Sequence, residues 1–285
     1  MTALTTSPAT EAGLIPSAQM QPRGASFLTA TGQAARRTLL QYLRTPQLIV
    51  LPTVTSVLFL FMFRYIFGGA ITTGTRGIDY VDFLIPGFVA TAILWTGMSA
   101  TSGVAEDALS GVHDRLRSLP IPRASVLAGR SLADTALITW TLLVNLGLGY
   151  AVGFRAHAGF GSVVLAFGVM LVASLAFSWV FISVGLWAGN AQAAQGMATL
   201  WVVPLTFVSS AYVPVHSMPG WMQAFAKNQP VTAVINASRS LMLGGSKAAG
   251  VGHSTSYWVV IALAASVGIL VVFGGIAVAR FARTR

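Results

Sequence analysis

The stretch that decides the fold runs from Ser162 to Ala188 and reads SVVLAFGVMLVASLAFSWVFISVGLWA. It contains no charged residue, and it exceeds the roughly 20 apolar residues that a helix needs to cross a bilayer. Only helices and closed barrels satisfy their backbone hydrogen bonds in lipid, and barrel strands are short and alternating in polarity. This long continuous run therefore predicts a membrane-spanning helix.

Similar runs recur along the 285 residues. The six predicted spans are Leu48–Phe67, Phe83–Gly103, Leu132–Gly153, Ser162–Ala188, Gly196–Val213 and Tyr257–Ala279, with Pro204 interrupting the fifth. Only 8% of the residues are charged and the mean hydropathy is +0.74, whereas a soluble domain is about a quarter charged. We predict an all-α polytopic membrane protein in which residues 47–285 form one six-span domain.

The net charge of +10 would suggest a nucleic-acid partner in a soluble protein. Here the basic residues flank apolar runs, so no nucleic-acid partner is predicted. Cysteine is absent, which excludes disulfides and thiolate metal sites. The four histidines fall in predicted loops and form no cluster suited to a metal, so no metal site is predicted.

Basic residues concentrate on one side of the predicted membrane, the side that holds both chain ends. That side carries 11 of the 17: Arg23, Arg36, Arg37, Arg44, Arg115, Arg117, Arg123, Arg130, Arg280, Arg283 and Arg285. Lys and Arg are enriched in cytoplasmic loops of membrane proteins. Both termini are therefore predicted to be cytoplasmic.

The N-terminal region divides into two parts. Residues 1–25 have no apolar core typical of a signal peptide and are expected to be a disordered tail. In residues 26–46, Leu28, Ala35 and Leu39 repeat at helical spacing opposite Arg37 and Arg44. This pattern predicts an amphipathic interfacial helix lying in the headgroup layer.

Catalytic motifs are missing from the sequence. Gly244–Lys247 lacks the glycine spacing of a phosphate-binding loop, and no metalloprotease or serine-nucleophile motif occurs. The chain is therefore predicted not to be an enzyme. Asp134 is the only acidic residue within a predicted span, and we expect it to pair with Arg130 one turn earlier.

The predicted loop between spans 2 and 3, Val104–Arg130, contains an amphipathic segment. Leu109, Val112, Leu116 and Leu119 recur at helical spacing before the Pro120-Ile121-Pro122 break. The segment is either an ordinary surface helix or a docking element that fits a groove of a soluble partner.

Two motifs in this frame resemble a known family. Asp114-Arg115-Leu116-Arg117-Ser118-Leu119-Pro120-Ile121-Pro122-Arg123, preceded by Glu106, is similar to the cytoplasmic signature of type 2 ABC transporter permeases, in particular the daunorubicin and multidrug resistance branch of actinobacteria. The second motif comprises Pro219-Gly220-Trp221, Asn228-Gln229-Pro230-Val231-Thr232, Arg239 and Gly244-Gly245, and resembles the family's segment before the last span. The resemblance covers about residues 26–285. Gly111 and His113 depart from it.

The resemblance implies a multi-pass subunit of a bacterial cytoplasmic (inner or plasma) membrane. Its expected partners are two cytoplasmic ATPase subunits and a second copy of itself or a paralogous permease. ATP and magnesium would bind to the ATPases, and this chain would bind no cofactor. The residues expected at the ATPase contact, on a cytoplasmic coupling helix, are Glu106, Asp107, His113, Asp114, Arg115, Leu116 and Arg117.

The predicted outer loop Pro214–Ser256 is too long for a plain connector. Trp221–Lys227 and Val231–Leu243 predict two short helices, with Pro230 at a start and Gly244-Gly245 at a stop. The resemblance implies that they are re-entrant, whereas a surface cap is the alternative. The residues singled out in this segment are Trp221, Asn228, Gln229, Pro230 and Arg239. Trp221, Tyr257 and Trp258 are predicted to lie in the interfacial aromatic belt.

The spans contain apolar, aromatic and few charged residues, as expected along a route for amphipathic or lipid-like molecules. The candidate pathway residues are Asn145, Trp95, Met98 and Trp201, although each could instead serve in helix packing. The predicted function is that of a permease subunit, embedded in the bilayer, of an ATP-driven exporter. Its predicted substrates are hydrophobic or amphipathic molecules, drug-like or lipid-like. An ion-coupled secondary transporter and a non-transporting membrane scaffold remain alternatives.

Overall fold

The computed structural model describes residues 26–68, 79–111 and 122–283, and every regular element in these ranges is helical. The α-helices are α1 (Phe27–Arg44), α2 (Gln47–Met62), α3 (Tyr80–Leu109), α4 (Arg123–Ala151), α5 (Phe160–Trp187), α6 (Ala191–Phe207), α7 (Gly220–Asn228), α8 (Pro230–Met242), α9 (Ser246–Ala249) and α10 (Thr255–Arg283). A π-helical turn, Phe63–Phe67, follows α2, and a 3-10 turn, Val215–Ser217, precedes α7. The predicted all-α class is confirmed. The tail 1–25 lies outside the described residues.

Five segments are long and apolar enough to cross a membrane: Gln47–Ile66, Tyr80–Leu109, Ala124–Ala151, Phe160–Trp187 and Thr255–Phe281. They correspond to five of the six predicted spans. The predicted fifth span, Gly196–Val213, instead begins earlier and ends earlier, as the 17-residue helix α6. Pro204 lies in its last turn, and irregular backbone follows from Val208.

Helix α3 occupies the centre of the bundle. Of its most apolar stretch 89% is buried, against 11% for α2 and 11% for α10. It packs against α4, α5, α6 and α8. Because α2 and α10 keep most of their apolar side chains on the outside, these two helices form the flanks of the bundle.

The two ends of the bundle carry different elements. One end, called here the terminal face, holds α1, the end of α3, the start of α4 and residues 277–283, where Val104, Val126, Ile182 and Phe281 pack together. The other end, called the distal face, holds the start of α3, residues 150–160 and the segment 214–255. His157 donates its backbone N–H to the Met242 carbonyl there, at 3.0 Å.

The described parts of the predicted loop Val104–Arg130 are mostly helix, which corrects its boundaries. Helix α3 continues to Leu109 and α4 already begins at Arg123. Polar residues can extend a membrane helix beyond the hydrocarbon region, where hydropathy no longer detects it. Glu106 therefore lies on the last turns of α3, and not on a separate loop helix.

Helix α1 closely matches the predicted amphipathic segment 26–46. The Ser26 hydroxyl caps it by accepting the Thr29 N–H at 3.3 Å, as N-cap serines do. It lies against α4, and Gly129 allows the approach, because a Cβ there would meet the Thr31 carbonyl oxygen at 2.5 Å. Its location in a headgroup layer stays a prediction.

The two short helices predicted before the last span are present as α7 and α8. Pro230 is the first residue of α8, and Gly244 and Gly245 follow it with φ of +83° and +126°, values that favour glycine. Every residue from Val231 to Met242 is buried, among α3, α5 and α10. Helix α8 is thus a core element, which a cap lying flat on the surface would not be.

Gly149 with Gly153 and Gly185 with Gly189 have the four-residue spacing that suits close helix contacts, and one glycine of each pair mediates such packing. A Cβ on Gly185 would meet the Thr101 carbonyl oxygen at 2.7 Å, and a Cβ on Gly149 would meet Ile85 at 2.7 Å. Gly153 and Gly189 have no described neighbour within 4 Å of such an atom. Gly185 therefore allows α5 to approach α3 closely.

Gly185→Ala should lower the free energy of unfolding by about 1–3 kcal/mol, because overpacking forces α3 and α5 apart. Equilibrium unfolding of the purified chain in mixed micelles measures this. Gly168→Ala is the matched control on the same helix, since a Cβ there meets nothing within 4 Å. Equal stability of the two variants would contradict the tight α3–α5 contact.

Candidate functional site

A network of ion pairs joins three helices at the terminal face. Asp107 on α3 binds Arg37 Nη2 on α1 at 3.0 Å through one carboxylate oxygen, and Arg130 Nη1 on α4 at 3.1 Å through the other. Arg130 Nε also donates to Asp134 Oδ1 at 3.1 Å. The predicted Arg130–Asp134 pair is confirmed, and it is part of a larger cluster.

Arg130 is the centre of this network. Its side chain is buried, and its third nitrogen, Nη2, donates to the Ala100 carbonyl at 3.3 Å. Gly103 leaves room for the guanidinium, because a Cβ there would collide with Nη2. Removing one partner from a buried ion pair is strongly destabilising, so Arg130 ties α3 to α4.

Tyr42 completes the cluster from α1. Its hydroxyl donates to Asp134 Oδ1. Burial and the neighbouring Asp134 carboxylate raise the pKa of Tyr42 well above its usual value, so the phenol stays protonated and keeps donating. Sequence reasoning missed Tyr42 and Arg37 as partners, because nothing local indicates contacts across 92 and 70 residues.

The residues predicted for the ATPase contact divide into three groups. Glu106 is exposed on the last turns of α3. Asp107, one residue on, is engaged by Arg37 and Arg130 inside the chain. The rest of that set lies outside the described residues: His113, Asp114, Arg115, Leu116 and Arg117.

A cavity of about 260 Å³ lies between α2, α3, the start of α6 and the irregular backbone that follows α6. Its described wall is uncharged: Leu51, Pro52, Thr55, Ser56, Phe59, Phe88, Thr91, Ala92, Trp95, Thr96, Met98, Gln195 and Tyr212. Two of the predicted pathway residues, Trp95 and Met98, therefore line one cavity. We call it the inter-helix cavity.

Aromatic rings and hydroxyls organise the inter-helix cavity. Phe59 stacks on Trp95 with ring centroids 6.2 Å apart, and Tyr212 stacks on Phe63 at 4.3 Å. The Tyr212 and Thr91 hydroxyls are 3.2 Å apart. Sequence reasoning missed Tyr212, which lies in irregular backbone after α6 where no periodic pattern marks it.

The other two predicted pathway residues do not line this cavity. Asn145 is fully buried on α4 and accepts a hydrogen bond from the cavity residue Ser56 at 3.0 Å, while its Nδ2 has no hydrogen-bond partner in the described structure. Asn145 thus lies directly behind the wall. Trp201 packs its ring on Phe181 at 5.0 Å and serves in helix packing.

At the distal face, Arg239 is almost fully buried, with 1% exposure. Its Nε donates to the Phe83 carbonyl at 3.1 Å and its Nη2 to the Ser210 carbonyl at 2.7 Å, and the guanidinium lies 3.8 Å from the Phe83 ring centroid. Burial lowers the pKa of Arg239 to about 9, which leaves the group charged at neutral pH. Arg239 therefore holds α8 to α3 and to the irregular backbone that follows α6.

The other distal residues singled out by sequence have separate positions. Gln229 is buried and donates to the Val208 carbonyl at 2.6 Å, and Asn228 donates to the Ala224 carbonyl at 2.8 Å. Trp221 is 75% exposed, as expected of an interfacial residue. Trp258 is 8% exposed and donates to the Val251 carbonyl at 3.0 Å. Its predicted place in the aromatic belt is wrong, because this hydrogen bond and the core hold the indole inside.

A sequence profile of the ABC-2 type transporter family matches residues 29–243. The chain belongs to this family. The permease is 31% identical over 280 residues to the daunorubicin resistance ABC transporter permease protein DrrB1 of Streptomyces coeruleorubidus, and 95% of each chain is covered. It is 27% identical over 223 residues to the probable doxorubicin resistance ABC transporter permease protein DrrC of Mycobacterium tuberculosis, covering 77% and 79% of the two chains.

A more distant relative is nodulation protein J of Rhizobium meliloti, 25% identical over 191 residues, which cover 63% of this permease and 70% of that protein. The predicted resemblance to the drug-resistance branch of type 2 ABC permeases is thus confirmed. The protein is a membrane permease of an ABC exporter, and neither an ion-coupled carrier nor a scaffold is favoured.

Arg130→Gln in the permease should lower the free energy of unfolding by about 3 kcal/mol or more, because Asp134 would stay buried without its cation. Equilibrium unfolding in micelles measures the loss. The double variant Arg130→Gln with Asp134→Asn should recover part of it. Arg36→Gln, an exposed arginine on α1, is the control and should change little. A loss no larger than that of Arg36→Gln would show that the network does not hold the helices together.

Proposed function

We propose that this permease moves hydrophobic or amphipathic molecules, drug-like or lipid-like, outward across the cytoplasmic membrane of a bacterium, driven by separate ATPase subunits. The observation that carries this proposal is the uncharged, aromatic inter-helix cavity in an ABC-2 chain. Relatives named for daunorubicin and doxorubicin resistance support the same substrate class.

The lining of the inter-helix cavity suits a flat, mostly apolar molecule. Aromatic faces such as Phe59 and Trp95 favour stacked or edge contacts with another ring. Thr91, Gln195 and Tyr212 offer a few hydroxyl and amide contacts that can orient it. A fixed charge in the wall would be expensive at this depth and would select against such a substrate.

The size of the cavity supports a dimer. Sites for drug-sized ligands usually measure about 300–1,000 Å³, and the inter-helix cavity measures about 260 Å³. Helix α2 forms one wall and leaves Val50, Leu58 and Phe61 exposed on the outside. We infer that a second copy of the permease, or a paralogue, covers α2 and enlarges the route.

The ATPase partners would act at the terminal face. ATP and magnesium would bind to them, and the driving force would reach this chain through contacts that differ between the partner's states. Glu106 is exposed there, while its neighbour Asp107 is bound to Arg37 and Arg130. A push on Glu106 would thereby be transmitted to α1, α3 and α4 together.

The distribution of charge supports the proposed orientation. Arg36, Arg37, Arg44 and Arg280 belong to the terminal face, in agreement with termini on the cytoplasmic side. The distal face and its α7–α8 pair would then face outward, with α8 re-entrant between α3, α5 and α10.

Trp95→Ala should lower ATP-driven transport of doxorubicin about 2- to 10-fold, because the variant loses an aromatic contact worth about 0.5–1.5 kcal/mol. Uptake into inside-out proteoliposomes that contain the permease and its ATPase measures this. Trp140→Ala is the matched control, since Trp140 is 53% exposed and not part of the cavity wall. Equal losses in both variants would exclude the inter-helix cavity as the route. Transport that persists without ATP and stops when the proton gradient collapses would overturn the proposed energy source.

Glu106→Arg should lower permease-stimulated ATP hydrolysis at least about fivefold, because a reversed charge at a docking surface opposes association. The stability of the permease itself should not change in this variant, since Glu106 is exposed. Asp79→Arg is the control, an exposed acid at the distal face. If the Glu106→Arg complex hydrolyses ATP as fast as the Asp79→Arg complex, Glu106 is not part of the coupling surface.

A further inference from the structure

A cavity of about 700 Å³ lies at the distal face and has Arg239 in its wall. It is lined by the start of α3, the backbone after α6, the turn before α7, α7 and α8, and the chain from α9 into α10. Its described wall comprises Phe83, Ser210, Pro214, Val215, His216, Lys227, Asn228, Thr232, Asn236, Arg239, Ala249, Gly250, Val251, Gly252, His253, Tyr257 and Trp258. We call it the distal cavity, and it shares no described lining residue with the inter-helix cavity.

The charges around the distal cavity are of one sign. Arg239 and Lys227 are cations, His216 and His253 lie exposed at its edge, and the described wall contains no carboxylate. Of the two acids at this face, Asp79 is exposed, and Asp82 accepts the Arg155 N–H at 3.0 Å and lies 3.8 Å from His157. The segment 69–78, which joins α2 to α3, contains no acidic residue in the sequence.

Arg239 lacks the anion that a buried guanidinium normally has. Its Nε and Nη2 are bound to carbonyl oxygens, and no described carboxylate pairs with it. Its Nη1 makes no hydrogen bond to a described residue. Buried charges are usually paired or bound to a ligand, so the arrangement leaves one charged donor for a group that enters the cavity.

Two further polar groups on the same face of α8 support this interpretation. Thr232, Asn236 and Arg239 are spaced four and three residues apart, so they share one side of the helix. The Thr232 hydroxyl is buried, with 1% exposure, and has no hydrogen-bond partner in the described structure. Asn236 accepts from the Ser210 hydroxyl at 2.9 Å through Oδ1, which leaves its amide N–H groups for a ligand.

We propose that the distal cavity binds a phosphate group through Arg239, Thr232, Asn236 and Lys227. A phosphate carries several acceptor oxygens and negative charge, and charge-assisted hydrogen bonds to it are the strong ones. It would satisfy the Arg239 and Thr232 donors that the chain leaves without partners. The volume of the cavity exceeds that of phosphate alone, so the group can belong to a lipid headgroup or to a soluble phosphate compound.

The test uses the full permease in nanodiscs and two probes. Inorganic phosphate is titrated at constant ionic strength into phosphatidylcholine nanodiscs, and phosphatidylglycerol replaces part of the phosphatidylcholine in a second series. The rise in unfolding temperature measures binding, and mass spectrometry counts retained phosphatidylglycerol. We expect a saturable rise with at least one probe, and chloride at the same ionic strength should give none.

The variants separate binding from folding. Lys227→Gln and Thr232→Val should each weaken binding, roughly tenfold where a charged hydrogen bond is lost. Thr232→Val should not destabilise the unliganded protein, because the lost hydroxyl has no partner within the described chain. Lys247→Gln is the matched control, an exposed lysine on α9 outside the cavity wall. Arg239→Gln is a secondary variant, since its bonds to Phe83 and Ser210 also hold the fold.

Binding of both probes supports the site. Binding of phosphatidylglycerol alone also supports it and assigns the phosphate to a lipid. Binding of inorganic phosphate alone assigns it to a soluble compound. Absence of a saturable effect with either probe overturns the proposal. It is also overturned if Lys227→Gln and Thr232→Val bind as tightly as Lys247→Gln. None of these results depends on transport or on an ATPase partner.

Discussion

The interior of a bilayer contains no water that could solvate a charge or an unpaired backbone group, and this constraint governs how the permease arranges both. The backbone of its central part is helical, and α3 is covered by neighbours along most of its length. Charged side chains within the bundle are gathered at its two ends. Each end has a buried arginine, Arg130 at the terminal face and Arg239 at the distal face.

The two arginines are accommodated in different ways. Arg130 lies between Asp107 and Asp134, so the charge of Arg130 is compensated within the chain. Tyr42 donates a further hydrogen bond to Asp134. Arg239 is bound by carbonyl oxygens and an aromatic ring, which stabilise its position without cancelling its charge. The first arrangement suits a rigid joint between helices. The second leaves an electrostatic demand that a ligand can meet.

Helix α3 connects the ion-pair network, the inter-helix cavity and the distal cavity. Near one end, Ala100 and Asp107 bind Arg130, and in its middle Thr91 and Trp95 face the inter-helix cavity. Near its other end, the Phe83 carbonyl accepts a hydrogen bond from Arg239. A displacement of α3 along or about its axis would alter each of these contacts. A helix that is buried by α4, α5, α6 and α8 transmits such a displacement, because close-packed interiors deform little.

Sequence alone determined the class of this protein and most of its helices, because long uncharged apolar runs are typical of membrane helices. It also located α1, α7 and α8, and the Arg130–Asp134 pair, since helical periodicity, proline and glycine boundaries and four-residue spacing are local signals. The full lengths of α3 and α4 escaped detection, because Glu106 and Arg123 are polar and hydropathy stops where lipid stops. Only the tertiary structure decided that Asp107 meets Arg37 and Arg130, that Trp95 and Tyr212 share a cavity, and that Trp258 is buried. Those outcomes depend on which helices pack together, and contacts between residues far apart in the chain leave no periodic trace in one sequence.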